Sequence, residues 1–396
     1  MKLRNSRVEI AHLKKSPSNM GNKKKLKLAA IIDGPGWNHT SWQHPDMPAD
    51  ASENIDFYVQ QAKLAEDAKF ESLFLIDVSH VGPGNIPHYL SMFEGVSIMS
   101  ALAMKTERIG LSLTASSSYT DPYNIARQVL SLDKISKGRV SLNAITSNPG
   151  GMVNFSRGHL SKADQYPMHI EFLEIIRNLW DTYEDDAFVR DKENGIFLNP
   201  RKMHLTNYRG EYFSVEGPLN ISRSVQGRPV LYTAGSSPTF VDIATTYTDG
   251  AFIGGFSMEE TKHTAMALRK KLDEKNRNPD NFIIATSQNP IVGKTDAEAH
   301  QKYMELAVLN PYQRIAPPLF LGSAESVADE IQEWYEGGIM DMLIVKQDHP
   351  YGLRDFIELV VPILQERGIF HTEYEEKTLR GNLELPKPGF RNFQYS

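Results

Sequence analysis

Asp121-Pro-Tyr-Asn-Ile-Ala-Arg-Gln-Val-Leu-Ser-Leu-Asp-Lys-Ile-Ser-Lys-Gly-Arg-Val-Ser-Leu-Asn-Ala-Ile-Thr146 contains one complete helix-to-strand unit. Asp121 is a good N-cap, and Pro122 fits the first helical position, where no intrahelical N–H is needed. Ile125, Val129 and Leu132 share one face. Lys134 and Lys137 suit the negative end of the helix dipole, and Gly138 stops the helix. Val140–Thr146 follows at once as a short, mostly apolar run. A helix that hands straight to a strand is the repeating part of a βα chain.

The same alternation extends outward in both directions. Upstream, Leu26–Asp33, Leu73–Asp77 and Ile109–Thr114 read as strands, with helices over Asn54–Lys69 and Phe93–Met104. Downstream, a helix over Met168–Tyr183 precedes a polar stretch, 184–226, with room for a hairpin around Tyr212–Val215. Strands Pro229–Ala234, Gly250–Ile253, Phe282–Val292 and Ile339–Val345 then alternate with helices Pro238–Tyr247, Met258–Asn276, Asp296–Val308 and Glu325–Tyr335. A proline-rich stretch, Asn310–Pro318, separates the last two helices. Leu353–Arg367 closes the series, and Pro362 should bend it.

Eight strands joined through helices run parallel and wind with one hand. No G-x-G-x-x-G turn follows the first strand, which argues against an open dinucleotide-binding sheet. The expected fold is α/β, a closed (β/α)8 TIM barrel with insertions after strands 4 and 7. A basic extension over residues 1–26, expected to be a poorly ordered tail, precedes a single barrel domain at 27–385. A short tail, 386–396, follows.

Composition excludes several function classes. The chain has 396 residues, 40% hydrophobic and 23% charged, with a net charge of −6. That balance gives no bulk attraction to nucleic acid. No stretch approaches a membrane span, and no apolar segment follows the basic N-terminus as a secretory signal requires. The lack of cysteine removes disulfides and thiolate chemistry, and fits a cytoplasmic protein.

Barrels carry their chemistry on the loops after the strands. Those loops hold Trp37, His39, Trp42 and His44; Asp77, Ser79 and His80; Thr114 and Ser116–Tyr119; Asn143 and Thr146–Asn148; and Ala234-Gly-Ser-Ser-Pro238. Ser236 or Ser237 can cap the helix from Pro238, leaving first-turn N–H groups that suit a phosphate. Serines before a helix are also ordinary caps. The histidines lack a metal-ligand spacing, so no metal is expected. No catalytic residue can be assigned, although His44 is a candidate base. Arg139, Arg157 and Lys162 hint at an anionic substrate.

The segments framing these loops resemble one family. Ser118–Arg139 followed by Asn143-Ala-Ile-Thr-Ser147, Leu179–Ala187, Gly217-Pro-Leu-Asn220, Gln226-Gly-Arg-Pro229, Ala234-Gly-Ser-Ser237, Gly368–Tyr374 and Thr378-Leu-Arg380 are similar to the bacterial luciferase-like flavin-dependent monooxygenases, in particular those acting on nitrilotriacetate and dibenzothiophene sulfone. The resemblance implies a luciferase-like TIM barrel and a two-component enzyme, in which a separate flavin reductase supplies reduced FMN. It also implies O2 and a small organic substrate, with two copies pairing as a dimer. It carries flavin contacts to Asp77, Thr114, Tyr166 (placed before the fourth helix) and Ser236. Lys162 stands where the family has histidine, and Leu142 where many relatives have tryptophan, which implies a changed pocket wall. The stretch between strands 7 and 8 is shorter than in typical relatives, which implies a reduced lid. Two other readings stay open: a flavin- or deazaflavin-dependent reductase on the same barrel, and a flavin-binding protein without turnover.

Overall fold

The computed structural model describes residues 24–78, 80–146, 154–155, 161–254, 257–309 and 317–390, with residue 162 described by its backbone alone. The rest of the expected N-terminal extension and the end of the C-terminal tail lie outside these. Eight parallel strands close into a barrel: β1 (Lys27–Ile31), β2 (Ser72–Phe74), β3 (Gly110–Ser116), β4 (Val140–Ile145), β5 (Val230–Ala234), β6 (Gly250–Ile253), β7 (Ile283–Gln288) and β8 (Met342–Lys346). Neighbours follow chain order all the way round, and β1 meets β8 with Ile31 opposite Lys346.

Both faces of the strands are buried, as a barrel demands. Ala29, Ile31, Phe74, Val230, Tyr232, Ile283, Ala285, Met342 and Ile344 fill the interior. The alternate residues, among them Leu28, Ala30, Leu111, Leu113, Leu142 and Leu343, pack outward against the helices. These helices are α1 (Ile55–Asp67), α2 (Pro87–Leu90), α3 (Gly95–Ala103), α4 (Pro122–Ile135), α5 (Lys162–Trp180), α6 (Pro238–Tyr247), α7 (Met258–Glu274), α8 (Asp296–Leu309) and α9 (Ala324–Glu336). None among the described residues is long and apolar enough to cross a membrane.

The deciding stretch behaves as its residues dictate. Asp121 accepts from the backbone N–H groups of Tyr123 and Asn124, and Gly138 takes a φ of +92° to release the chain into β4. Asp121 is exposed, so Asp121→Ala should cost only the cap, about 1 kcal/mol. A urea midpoint unchanged by that substitution would show that α4 is held by packing alone.

Three expectations need correction. The seventh strand ends at Gln288, because Pro290 cannot donate to a ladder. Ile291–Gly293 instead pairs with Leu321–Ser323 in a separate two-stranded parallel sheet. The helix after β4 begins at Lys162 rather than Met168, capped by Ser161, with Pro167 inside it. The closing helix does not simply bend at Pro362. It runs as α10 (Gly352–Asp355), a π-helical turn over Phe356–Val360 that absorbs the lost N–H, and α11 (Val361–Glu366).

The end opposite the functional loops is sealed. Leu379 and Leu383, from α12 (Leu379–Asn382) and just after it, enter the interior cluster, and Arg380 clasps Asp249 at 2.8 Å. That guanidinium holds the Asp249 carboxyl down to about 2, even though burial opposes ionisation.

Candidate functional site

The C-terminal ends of the strands gather the polar residues. Asp77, Thr114 and Asn143 follow or end β2, β3 and β4, and Ser236 and Ser237 follow β5. They form an arc over four consecutive strands. Asp77 and Thr114 line one cleft of about 210 Å³ with Glu94, Tyr119 and Phe155. Burial, and then the nearby Glu94 charge, pushes the Asp77 carboxyl up to about 6. Thr114 donates to the Leu75 carbonyl at 2.9 Å and receives Asn143 Nδ2 at 3.4 Å. The Asn143 Oδ1 is buried without a partner among the described residues.

The second half of the arc is built on α6. Ser237, not Ser236, is the cap: its hydroxyl accepts from the Phe240 N–H at 3.1 Å. Ser236 stays exposed one residue earlier, ahead of a first turn in which Pro238 has no N–H to offer. Tyr166 reaches this point from inside α5, rather than before it, and its hydroxyl lies 2.9 Å from Ser237 Oγ. Lys162 sits at the first position of α5.

One positioning residue had no sequence signal. His169, a turn beyond Tyr166, is 1% exposed and bridges Ser117 Oγ at 2.9 Å and Thr233 Oγ1 at 3.1 Å. It ties α5 to the ends of β3 and β5. Burial lowers its pKa to about 4, so the ring stays neutral, donating to one of the two hydroxyls and accepting from the other.

Other expected contributors fall elsewhere. Arg139 lies at the sealed end, bonded to the carbonyls of Ala103, Thr106, Ile109 and Ser136, so it cannot meet a substrate at the mouth. Arg157 lies outside the described residues. Leu142 faces the helices and not the pocket, so the pocket wall does not change there. His80 is exposed. His44 meets His349 edge-on at 5.1 Å, and His349 Nε2 lies 3.5 Å from Glu305 of α8. Both imidazoles accept a backbone N–H at Nδ1, from Asp46 and Tyr351. His44, His349 and Glu305 thus bring one possible ligand atom each within 4.8 Å of one another, a grouping that the sequence spacing of the histidines did not foresee, and His349 links α8 to the mouth.

Comparison with known proteins agrees with this geometry. Residues 37–338 match the family model described as luciferase-like monooxygenase. N-acetyl-S-(2-succino)cysteine monooxygenase of Bacillus subtilis (strain 168) is 35% identical, over 92% of this chain and 98% of its own length. Their alignment spans 431 positions, more than the chain's 396 residues, so this chain is the one with deletions. Nitrilotriacetate monooxygenase component A of Aminobacter aminovorans is 28% identical over 93% of this chain and 98% of its own. A solved riboflavin lyase, with modified FMN and its substrate riboflavin, superposes with a TM-score of 0.85 at 27% identity, covering 93% of this chain and 98% of that one. With the closed barrel and its polar arc, these matches place the chain in the luciferase-like monooxygenase family, as a flavin-dependent oxidoreductase.

Proposed function

We propose that the chain is the oxygenase half of a two-component system, taking FMN in its reduced form from a separate reductase and using O2 to oxidise a small organic substrate. The observation that carries the cofactor assignment is the junction of Tyr166, Ser236 and Ser237 at the start of α6. The Tyr166 and Ser237 hydroxyls meet there at the positive end of a ten-residue helix, with Ser236 exposed beside them, a set of hydroxyls suited to a phosphate dianion. Asp77, Thr114 and the unpartnered Asn143 Oδ1 lie along the same arc, where a ring system with polar edges would find partners. Lys162, which the family resemblance adds to the flavin contacts, begins the helix that carries Tyr166.

Reduced flavin, when bound, supplies the two electrons that activate O2. The protein's part is to orient it and keep water out. Ile31, Phe74, Tyr232 and Ile344 give the mouth an apolar floor, and α8, held by Glu305, flanks it.

The test is a single turnover with reduced FMN and ¹⁸O-labelled dioxygen, using N-acetyl-S-(2-succino)cysteine as the first substrate probe. One labelled atom should enter the product and the other water. Label-free product, or substrate reduction without O2, would favour the reductase reading instead.

A further inference from the structure

A second cluster lies at the mouth beside the flavin arc, and none of the contacts proposed for the cofactor uses it. The alternation that turns Ala29 and Ile31 into the interior carries Asp33 to the same side. Along β8 the same parity turns Met342, Ile344 and then Lys346 inward. Ile31 stands opposite Lys346, so Asp33 emerges just above that pair.

Asp33 is 3% exposed, and neither carboxyl oxygen has a hydrogen-bond partner among the described residues. His88 of α2 approaches with Nε2 3.6 Å from Oδ1. It is itself buried, and neither ring nitrogen has a hydrogen-bond partner among the described residues. The Lys346 ammonium lies 4.9 Å from the centre of the Trp37 ring, and Trp37 meets Tyr89 edge-on at 5.3 Å. Loops after β1, β2 and β8, with Phe57, Tyr58 and Gln61 of α1 beside them, thus enclose one carboxyl whose oxygens are buried and have no hydrogen-bond partner among the described residues.

A carboxylate without donors in such a place is unstable, so the group holds its proton. Burial pushes Asp33 up to about 8, against the pull of Lys346 and with a further push from the Asp348 charge, while burial alone lowers His88 to about 4. At neutral pH the pair therefore carries one proton more than two bare bases would, and that proton sits on the acid. A neighbouring cation is placed to stabilise the carboxylate left when the proton departs.

The proposed reaction consumes such a proton. Reduced flavin as its anion gives two electrons and one hydrogen, and one further proton is needed. With a substrate, the O–O bond breaks, one oxygen bonds to the substrate and the other leaves as water. Without a substrate, both oxygens leave as hydrogen peroxide, with the same proton count. We propose that Asp33, at the mouth of the barrel, donates the proton that oxygen reduction consumes there, and that His88 returns it. This rests on the flavin monooxygenase reading above.

The test needs no substrate. Protein in excess over reduced FMN is mixed with aerated buffer between pH 6 and 10, and flavin reoxidation is followed. Wild type should be flat below about pH 8 and fall tenfold per unit above it, since the proton is present below that point and lost above it. Asp33→Asn keeps the shape of the protonated acid but cannot give a proton. It should be at least tenfold slower and nearly independent of pH. In flavin-free protein, the difference infrared spectrum between wild type and Asp33→Asn should contain one protonated-carboxyl band at pH 7 that titrates out near pH 8, over and above the band of Glu71, which burial also pushes up to about 8. Lys346→Met should move both the band and the kinetic midpoint to higher pH, which keeps the idea testable should Asp33→Asn fail to fold. His88→Gln should retain the band and the first turnover but slow repeated ones. Wild-type kinetics in Asp33→Asn would overturn this assignment alone. A wild type that binds no reduced FMN would overturn the flavin reading and this assignment with it.

Discussion

Arg139→Ala should destabilise the fold by about 3–5 kcal/mol while leaving the flavin affinity of whatever still folds unchanged. The side chain is 3% exposed and, among the described residues, meets no carboxylate at hydrogen-bond distance. Its Nε donates to the Ser136 carbonyl at 2.8 Å, Nη1 to Thr106 Oγ1 at 2.9 Å and Ile109 O at 2.6 Å, and Nη2 to Ala103 O and Thr106 O at 3.0 Å each. Those carbonyls end α3, lead into β3 and end α4. Truncation strands several buried acceptors at once, and water has no path to replace the guanidinium. Lysine keeps the charge but not the fork of donors, so Arg139→Lys should recover less than half of the loss. Urea and thermal midpoints measure the first part, and FMN titration of the soluble fraction measures the second. A variant of wild-type stability that had lost affinity for an anionic substrate would contradict the placement of Arg139 at the sealed end.

That residue also shows where sequence reading stops. Arg139 was visible as a cation beside a strand, and only the direction of the strand decides its role. It precedes β4, so it sits at the end away from the loops that carry chemistry. The barrel itself was legible because caps, glycines and apolar stripes recur unit after unit, and the arc from Asp77 to Ser237 followed from reading the loop after each strand. Asp33 was not. The run Leu26-Lys27-Leu28-Ala29-Ala30-Ile31-Ile32 is buried on both faces, so no hydrophobic alternation sets its parity, and an aspartate after such a run reads equally well as a turn residue. His169 was hidden for a different reason. Pro167 looked like the residue before a helix start, which cut Tyr166 and His169 apart, although α5 carries both one turn apart. The overlong seventh strand reflects β-favouring residues on both sides of Pro290 that belong to two different sheets.

The phosphate assignment predicts a separation between two adjacent serines. Ser236 is exposed and caps nothing, so Ser236→Ala should leave the thermal midpoint within about 1 °C, in line with a surface change. It should still weaken FMN binding by about 10–100-fold, the worth of one hydrogen bond to a charged group. Ser237→Ala should lose comparable affinity and also the α6 cap, at about 1 kcal/mol, because its hydroxyl holds the Phe240 N–H. Tyr166→Phe removes only the hydroxyl that meets Ser237 Oγ at 2.9 Å, and should lose less affinity than either serine variant, with little change in stability. Riboflavin serves as the control, since it shares the ring system and lacks the phosphate. Each variant should bind riboflavin as wild type does, so the preference for FMN shrinks with the number of donors removed. Equal weakening toward both ligands would mean that the start of α6 touches the ring or ribityl chain, and the phosphate would then have to be sought at another helix.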